Sequence, residues 1–179
     1  EIVICNAPFH QEASERTYRW IKEYLGEGAI IVLNTDYTIE SVGGNAFYLE
    51  KGFKIFGTNI TDSLVRANQE NEKKRLIAAA QTPEQIRTYQ QVNIIAANNT
   101  ITATEDLSMS FGTMKFEMLD LGEAATPDQS IVHFPELQIV YAGRLVSGKD
   151  SPVVVTPLSS IEGWKAGLDQ LRKLNPQLI

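Results

Sequence analysis

The sequence predicts an α/β sandwich with its helices on the outside. Three observations carry that reading. The first third alternates short apolar runs with amphipathic helical stretches. From Thr100 onward, β-rich runs are separated by turn residues. A strongly amphipathic helix closes the chain. The 179 residues are 43% apolar and 21% charged, enough for a sizeable core, and no linker interrupts them, so a single domain over 1–179 is expected.

Glu1 to Cys5 reads as a short buried strand ended by Asn6-Ala7-Pro8. Residues 11–25 read as an amphipathic helix with Ala13, Thr17, Ile21, Tyr24 and Leu25 on one face, stopped by Gly26 and Gly28. Ala29 to Leu33 is apolar, β-branched and too short for a helix, which suits a buried parallel strand. Phe53 to Phe56 is another strand. Residues 61–81 form a polar helix whose apolar residues gather at Leu76, Ile77 and Ala80. Thr82-Pro83-Glu84-Gln85 is a capping box that opens the next helix. Ile101–Thr104, Thr113–Leu121, Ser130–Phe134, Leu137–Ala142 and Val153–Thr156 read as strands, in a sheet with antiparallel pairs. Ser159 and Glu162 predict a second capping box, ahead of a helix with Ile161, Trp164, Leu168 and Leu171 on one face.

Composition narrows the function. The net charge is −6, and the one basic triplet, Lys73-Lys74-Arg75, reads as a solvated helix face. Nucleic acid is excluded, because phosphate binding needs concentrated positive charge. No apolar run reaches the roughly 20 residues of a membrane span. A lone cysteine, Cys5, forms no disulfide within the chain and reads as a buried strand thiol. The chain opens without Met and closes on Leu178-Ile179, so either it was cut or its apolar ends rest against something. The compartment stays open, export included.

The stretch from Asn34 to Ala46 (NTDYTIESVGGNA) carries the most information. It resembles the signature loop of the metallo-β-lactamase superfamily. There, a buried strand ends in Asn-Thr, His-x-His-x-Asp-His follows, and Gly-Gly-Asn-Ala opens a short helix. Here the flanks agree, but Asp36, Thr38, Glu40 and Ser41 stand at the ligand positions. Ala125-Thr126-Pro127-Asp128 resembles the family's His-Thr-Pro-Gly turn, with Ala125 in place of the ligand. Ala142-Gly143-Arg144 resembles its Ala-Gly-Asp, with Arg144 where the metal-bridging Asp would be. Asn6 replaces an Asp at the first strand end, and the late helix around Trp164 also matches. The resemblance implies a metallo-β-lactamase-like αββα sandwich that lacks some terminal strands. It implies neither activity nor zinc.

Zinc sites in this fold need converging His and carboxylate ligands. The two histidines, His10 and His133, fall outside the ligand positions. Asp36 and Glu40, with Asp128 as a third, suit a hard cation better than zinc, and such an ion wants more oxygens. Arg144 would repel a divalent ion and pair with Asp36 and Glu40. The alternative is that these side chains drifted and face water. Ser41 has no aligned base, so no catalytic residue is assigned. Gly43-Gly44 either turns the loop tightly or binds an anion at a helix start. Asn59-Ile60-Thr61 and Asn98-Asn99-Thr100 match glycosylation sequons, which carry meaning only in a secretory eukaryotic source.

The favoured reading is a pseudoenzyme, with no zinc or other cofactor. It would bind a small molecule in a cleft lined by Asp36, Glu40, Asp128 and Arg144, or a protein. An incomplete sheet would leave an edge near Ile2–Cys5 for a second copy or a partner chain. The competing reading is a hydrolase of the superfamily with an unusual or displaced metal site. A third is a piece of a longer enzyme.

Overall fold

A computed structural model of the chain describes residues 1–103, 107–151 and 153–179, and of Leu107 the backbone alone. It folds as two compact units, Glu1–Ile101 and Thr102–Ile179.

In the first unit, β1 (Ile2–Cys5), β2 (Ile30–Leu33), β3 (Lys54–Thr58) and β4 (Asn99–Ile101) form an all-parallel sheet in that order. Ile2 pairs with Ile30, Ile31 with Lys54, and Phe56 with Asn99. All four residues of β2 are buried, as a continuous β-branched run requires when both faces are covered. Helices connect the strands: α1 (Gln11–Tyr24), α2 (Ile39–Val42), α3 (Asn45–Glu50), α4 (Asn59–Ala78) and α5 (Pro83–Gln90). Ile4, Ile21, Val32, Phe47, Tyr48 and Ile55 form one core cluster. Tyr37, Ile39, Val42, Val65 and Leu76 form another, under the loop that follows β2. Ile101, expected in an antiparallel sheet, completes the parallel one. Thr104, expected to end that strand, lies outside the described residues.

The capping box at Thr82 forms as predicted, with Pro83 in the first turn of α5. Gly26 takes a φ of 77° just beyond the end of α1. The predicted face of α1 needs correction. Ala13 and Ile21 are buried, but Tyr24 and Leu25 are exposed, and Ser14 and Tyr18 pack inward instead. The inner stripe therefore turns by one residue, and Tyr24 stacks outside on Trp20 with ring centres 5.4 Å apart.

α1 begins at His10, whose Nδ1 accepts from the Ala13 N–H at 3.1 Å. That bond requires an unprotonated Nδ1, and burial lowers the His10 pKa below its usual 6.5. A lowered pKa means the unfolded chain binds the proton more readily. The cap's stability is present above about pH 6.5 and is lost as pH falls below it. His10→Asn keeps a capping oxygen without a titration. Urea unfolding at pH 7.5 and pH 5 should show the wild type losing a few tenths of a kcal/mol more than this variant, a solvent-screened part of a cap worth about 1 kcal/mol.

The second unit holds an antiparallel sheet of β5 (Leu107–Phe111), β6 (Met114–Gly122), β7 (Gln129–Phe134) and β8 (Ile139–Tyr141), in that order. Gly112, with φ 60°, makes the tight β5–β6 turn. α6 (Ile161–Leu174) packs Trp164 and Leu171 on Leu119, Ile131, Val140 and Leu145. The Trp164 indole N–H donates to the Leu145 carbonyl at 2.8 Å. The predicted capping box does not form, because the cap falls one residue later, at Ser160, and its N3 partner Gly163 has no side chain to bond back. Ser160 caps the Gly163 N–H at 3.1 Å, while Ser159 Oγ donates to the Ala125 carbonyl. Val153–Thr156 is not a strand: Val153, Val154 and Val155 are exposed, and β-branched residues without a strand partner do not make a sheet. Among the described residues, no helix is long and apolar enough to cross a membrane.

Candidate functional site

The first unit carries four of the positions where the resemblance implies metal ligands, in the segment from Asn34 to Asn45. Two backbone bonds continue the sheet into this segment, from Asn6 N–H to the Leu33 carbonyl and from Asn34 N–H to the Phe56 carbonyl, both 2.8 Å. Asn6 sits at φ 65°, a left-handed conformation that asparagine tolerates better than most side chains. Its Oδ1 accepts from the Thr35 N–H at 2.8 Å, and its Nδ2 donates to Thr35 Oγ1 at 2.9 Å. The amides of Asn34 and Asn45 bond each other, at 3.2 and 2.9 Å. Asn34 also reaches the Ser41 carbonyl, and Asn45 the Ile95 carbonyl. The loop is thus pinned at both ends.

Asp36 lies at its centre, with no solvent exposure. Its Oδ1 accepts from the Thr38 N–H at 3.0 Å and from the Thr38 hydroxyl. Its Oδ2 accepts from the Ser41 hydroxyl at 2.7 Å. Three of these four side chains therefore converge, with Thr38 and Ser41 gathered on the Asp36 carboxylate. Thr38 and Ser41 turn their protons toward Asp36, and both are buried. The Ser41 hydroxyl is thereby shielded from solvent.

Glu40 departs from the group. Both of its oxygens lie 2.8–2.9 Å from Arg75 Nη2. Arg75 also binds Glu72, whose Oε2 accepts from the Ile39 N–H at 3.1 Å at the start of α2. These two carboxylates hold the Arg75 pKa above its usual value against the opposing effect of burial. The Lys73-Lys74-Arg75 triplet is thus not a plain solvated face: its arginine fastens α4 to the loop. Sequence reasoning missed Arg75 and Glu72. Their spacing of three on an unusually polar helix was the available signal.

Gly43 and Gly44 have ordinary right-handed helical backbones. Space is what requires them. A Cβ on Gly43 would collide with the Phe9 carbonyl and lie 2.7 Å from the Ile39 carbonyl; one on Gly44 would collide with Ser14 Oγ and the Pro8 carbonyl. These close approaches are what the tight-turn reading requires. His10 is a helix cap, and His133 Nδ1 lies 2.9 Å from Glu117 across the β6–β7 pair. Burial pushes the Cys5 thiol up to about 12, which keeps it protonated and inert.

The second unit carries the remaining positions. Ala125 is buried in a turn closed by the Ala124 N–H on the Thr126 carbonyl at 2.8 Å. The segment leading into α6 fastens this turn through Ser159 Oγ on the Ala125 carbonyl and the Ser160 N–H on the Ala124 carbonyl. Asp128 is fully buried at the foot of β7. Arg144 lies in a 3-10 turn, Gly143–Leu145, and lines a cavity of about 270 Å³ with Ser147, Ser151 and Trp164. Among the described residues, no three His, Cys, Asp or Glu side chains are placed to hold a metal ion.

This architecture is the metallo-β-lactamase fold. A metallo-β-lactamase from Pontibacter korlensis superposes with a TM-score of 0.77 at 17% identity, over 99% of this chain and 72% of its own. The mono-zinc form of the metallo-β-lactamase FIM-1 from Pseudomonas aeruginosa gives 0.75 at 16% identity, over 99% of this chain and 69% of its own. DIM-1 metallo-β-lactamase exposed to ceftazidime gives 0.75 at 18%, over 99% and 70%. The matched chains are longer than this one. No family model matches the sequence.

Proposed function

We propose that this chain is a metallo-β-lactamase-fold protein that has given up zinc chemistry and works by binding. The observation that carries this is the convergence of Thr38 and Ser41 on Asp36. At those positions the resemblance implies imidazoles, and two hydroxyl donors now face one acid. Zinc does not fit this donor set. Glu40 is engaged by Arg75, Ala125 offers no donor atom, and Arg144 brings a fixed positive charge to the bridging position.

The binding partner is a small molecule or another protein. β1 supports the second choice. It stands at one end of its sheet with β2 as its only strand neighbour among the described residues, and an open edge accepts a further strand from a second copy or a partner.

The reading is tested by assaying the zinc-loaded protein against lactam, thioester and phosphodiester substrates. The expected result is no turnover above a buffer blank. Turnover that the chelator EDTA abolishes would establish the alternative, a hydrolase with a displaced metal site.

A further inference from the structure

The outward stripe of α1 presents large aromatic groups to solvent. Trp20 is 52% exposed and Tyr24 64%, and they stack only on each other, with ring centres 5.4 Å apart. The fold of the first unit does not call on them, since Ala13, Ser14, Tyr18 and Ile21 fill the inner face of the helix. Glu12, Arg16, Arg19, Trp20 and Glu23 are all exposed and recur at the three- and four-residue steps that put them on one side of the helix. Glu12 and Arg16, like Arg19 and Glu23, stand four apart, the spacing of an ion pair along a helix. Among the described residues neither pair closes, and none of these four side chains forms a salt bridge within the chain.

We propose that this stripe docks a second copy of the chain, with the two α1 helices antiparallel across a twofold axis beside Trp20. The order of groups along it selects that occupant: acid, base, base, tryptophan, acid. In an antiparallel pair centred between residues 19 and 20, Arg16 meets Glu23 of the second copy, and the twofold makes that contact twice. Trp20 meets Arg19 of the second copy, a cation over an aromatic face. The two Trp20–Tyr24 stacks close over the axis and leave water, as interface aromatics do. One contact opposes the arrangement, because Glu12 faces Glu27 of the second copy. Lys22 already holds Glu27 at 2.5 Å, which offsets part of that repulsion. A lipid surface would instead call for a polar face rich in lysine and arginine, and this one mixes both signs. A helix of 14 residues is about 21 Å long. Two such faces bury less than the roughly 1,600 Å² of a standard interface, so the dimer depends on concentration and is not obligate.

Sedimentation velocity at physiological salt, from about 1 to about 200 µM protein, tests this. The wild type should pass from monomer to dimer with a Kd of about 10–100 µM. Arg16→Glu and Glu23→Arg should each associate at least about tenfold more weakly, because either change sets like charges against each other at both contacts. Both positions are exposed and both replacements are good helix formers, so the fold is kept. An equimolar mixture of the two variants brings opposite charges together again and should dimerise about as well as the wild type. Trp20→Ser should also weaken association at least about tenfold. A wild type that stays monomeric at about 200 µM would overturn the proposal, and binding of that monomer to anionic lipid vesicles would assign the stripe to a membrane surface. Dimers untouched by Trp20→Ser, or no recovery in the mixture, would overturn it as well and direct the second copy to the edge of β1. None of these residues belongs to the Asp36 loop, so a failure here leaves the zinc-free reading standing, and the reverse also holds.

Discussion

Gly43→Ala is expected to destabilise the protein by about 2–3 kcal/mol, seen as a lower urea midpoint at unchanged slope. The helical φ of −61° suits alanine well, and alanine lowers the entropy of the unfolded chain, an effect of about 0.4–1 kcal/mol in its favour. The methyl group nevertheless meets two backbone carbonyls, Phe9 and Ile39. Neither is the end of a flexible side chain, so relief requires moving the loop after β1 or unwinding α2. Overpacking against backbone therefore outweighs the entropic gain. Gly28→Ala is the control. Its nearest neighbour is a side-chain methyl of Ile2 at 3.4 Å, and the change should stay within about 1 kcal/mol. A neutral Gly43→Ala would mean that the loop is not packed as described.

Asp36→Ala should cost more, about 3–5 kcal/mol. The substitution strands three donors: the Thr38 N–H, the Thr38 hydroxyl and the Ser41 hydroxyl. Each buried donor left without a partner costs about 1–3 kcal/mol, and the two hydroxyls recover part of that by rotating toward other acceptors. Asp36→Asn keeps one oxygen for Thr38 and should cost roughly half as much. The pattern separates two explanations for the buried acid. If hydroxyls hold it, EDTA leaves the wild-type melting temperature unchanged. If a metal held it, EDTA would reproduce the loss seen in the variant.

Much of the fold is legible in the sequence, because its strongest local signals agree with its packing. The run Ile30–Leu33 leaves only a buried strand, and Thr82-Pro83 leaves only a helix start. The motif order from Asn34 to Trp164 fixes the fold, and the solved metallo-β-lactamases superpose on it. The errors fall where local preference and tertiary context part. Val153–Val155 has strand propensity without a partner. Tyr24 and Leu25 fit a helical period with Ile21, yet the inner face is centred one residue away.

The candidate site was legible in its positions but not in its bonds. That Asp36, Thr38, Glu40 and Ser41 stand where ligands would be follows from the letters. That Thr38 and Ser41 bond Asp36, while Glu40 turns to an arginine thirty-five residues downstream, does not, because hydrogen-bond partners distant in sequence leave no periodic trace. Asn34 and Asn45 show the same limit. They read as part of a loop motif, and the structure makes them a reciprocal amide pair at its base.

The central claim is that a carboxylate held by two hydroxyls has replaced the metal. Elemental mass spectrometry tests it most directly, on protein purified without chelator and again after zinc loading and removal of unbound ion. The prediction is zinc below about a tenth of an equivalent in both samples. One or two ions retained per chain would contradict it, since a tightly held ion requires Asp36, Thr38 and Ser41 to exchange their mutual bonds for a coordination set that their present donors do not offer.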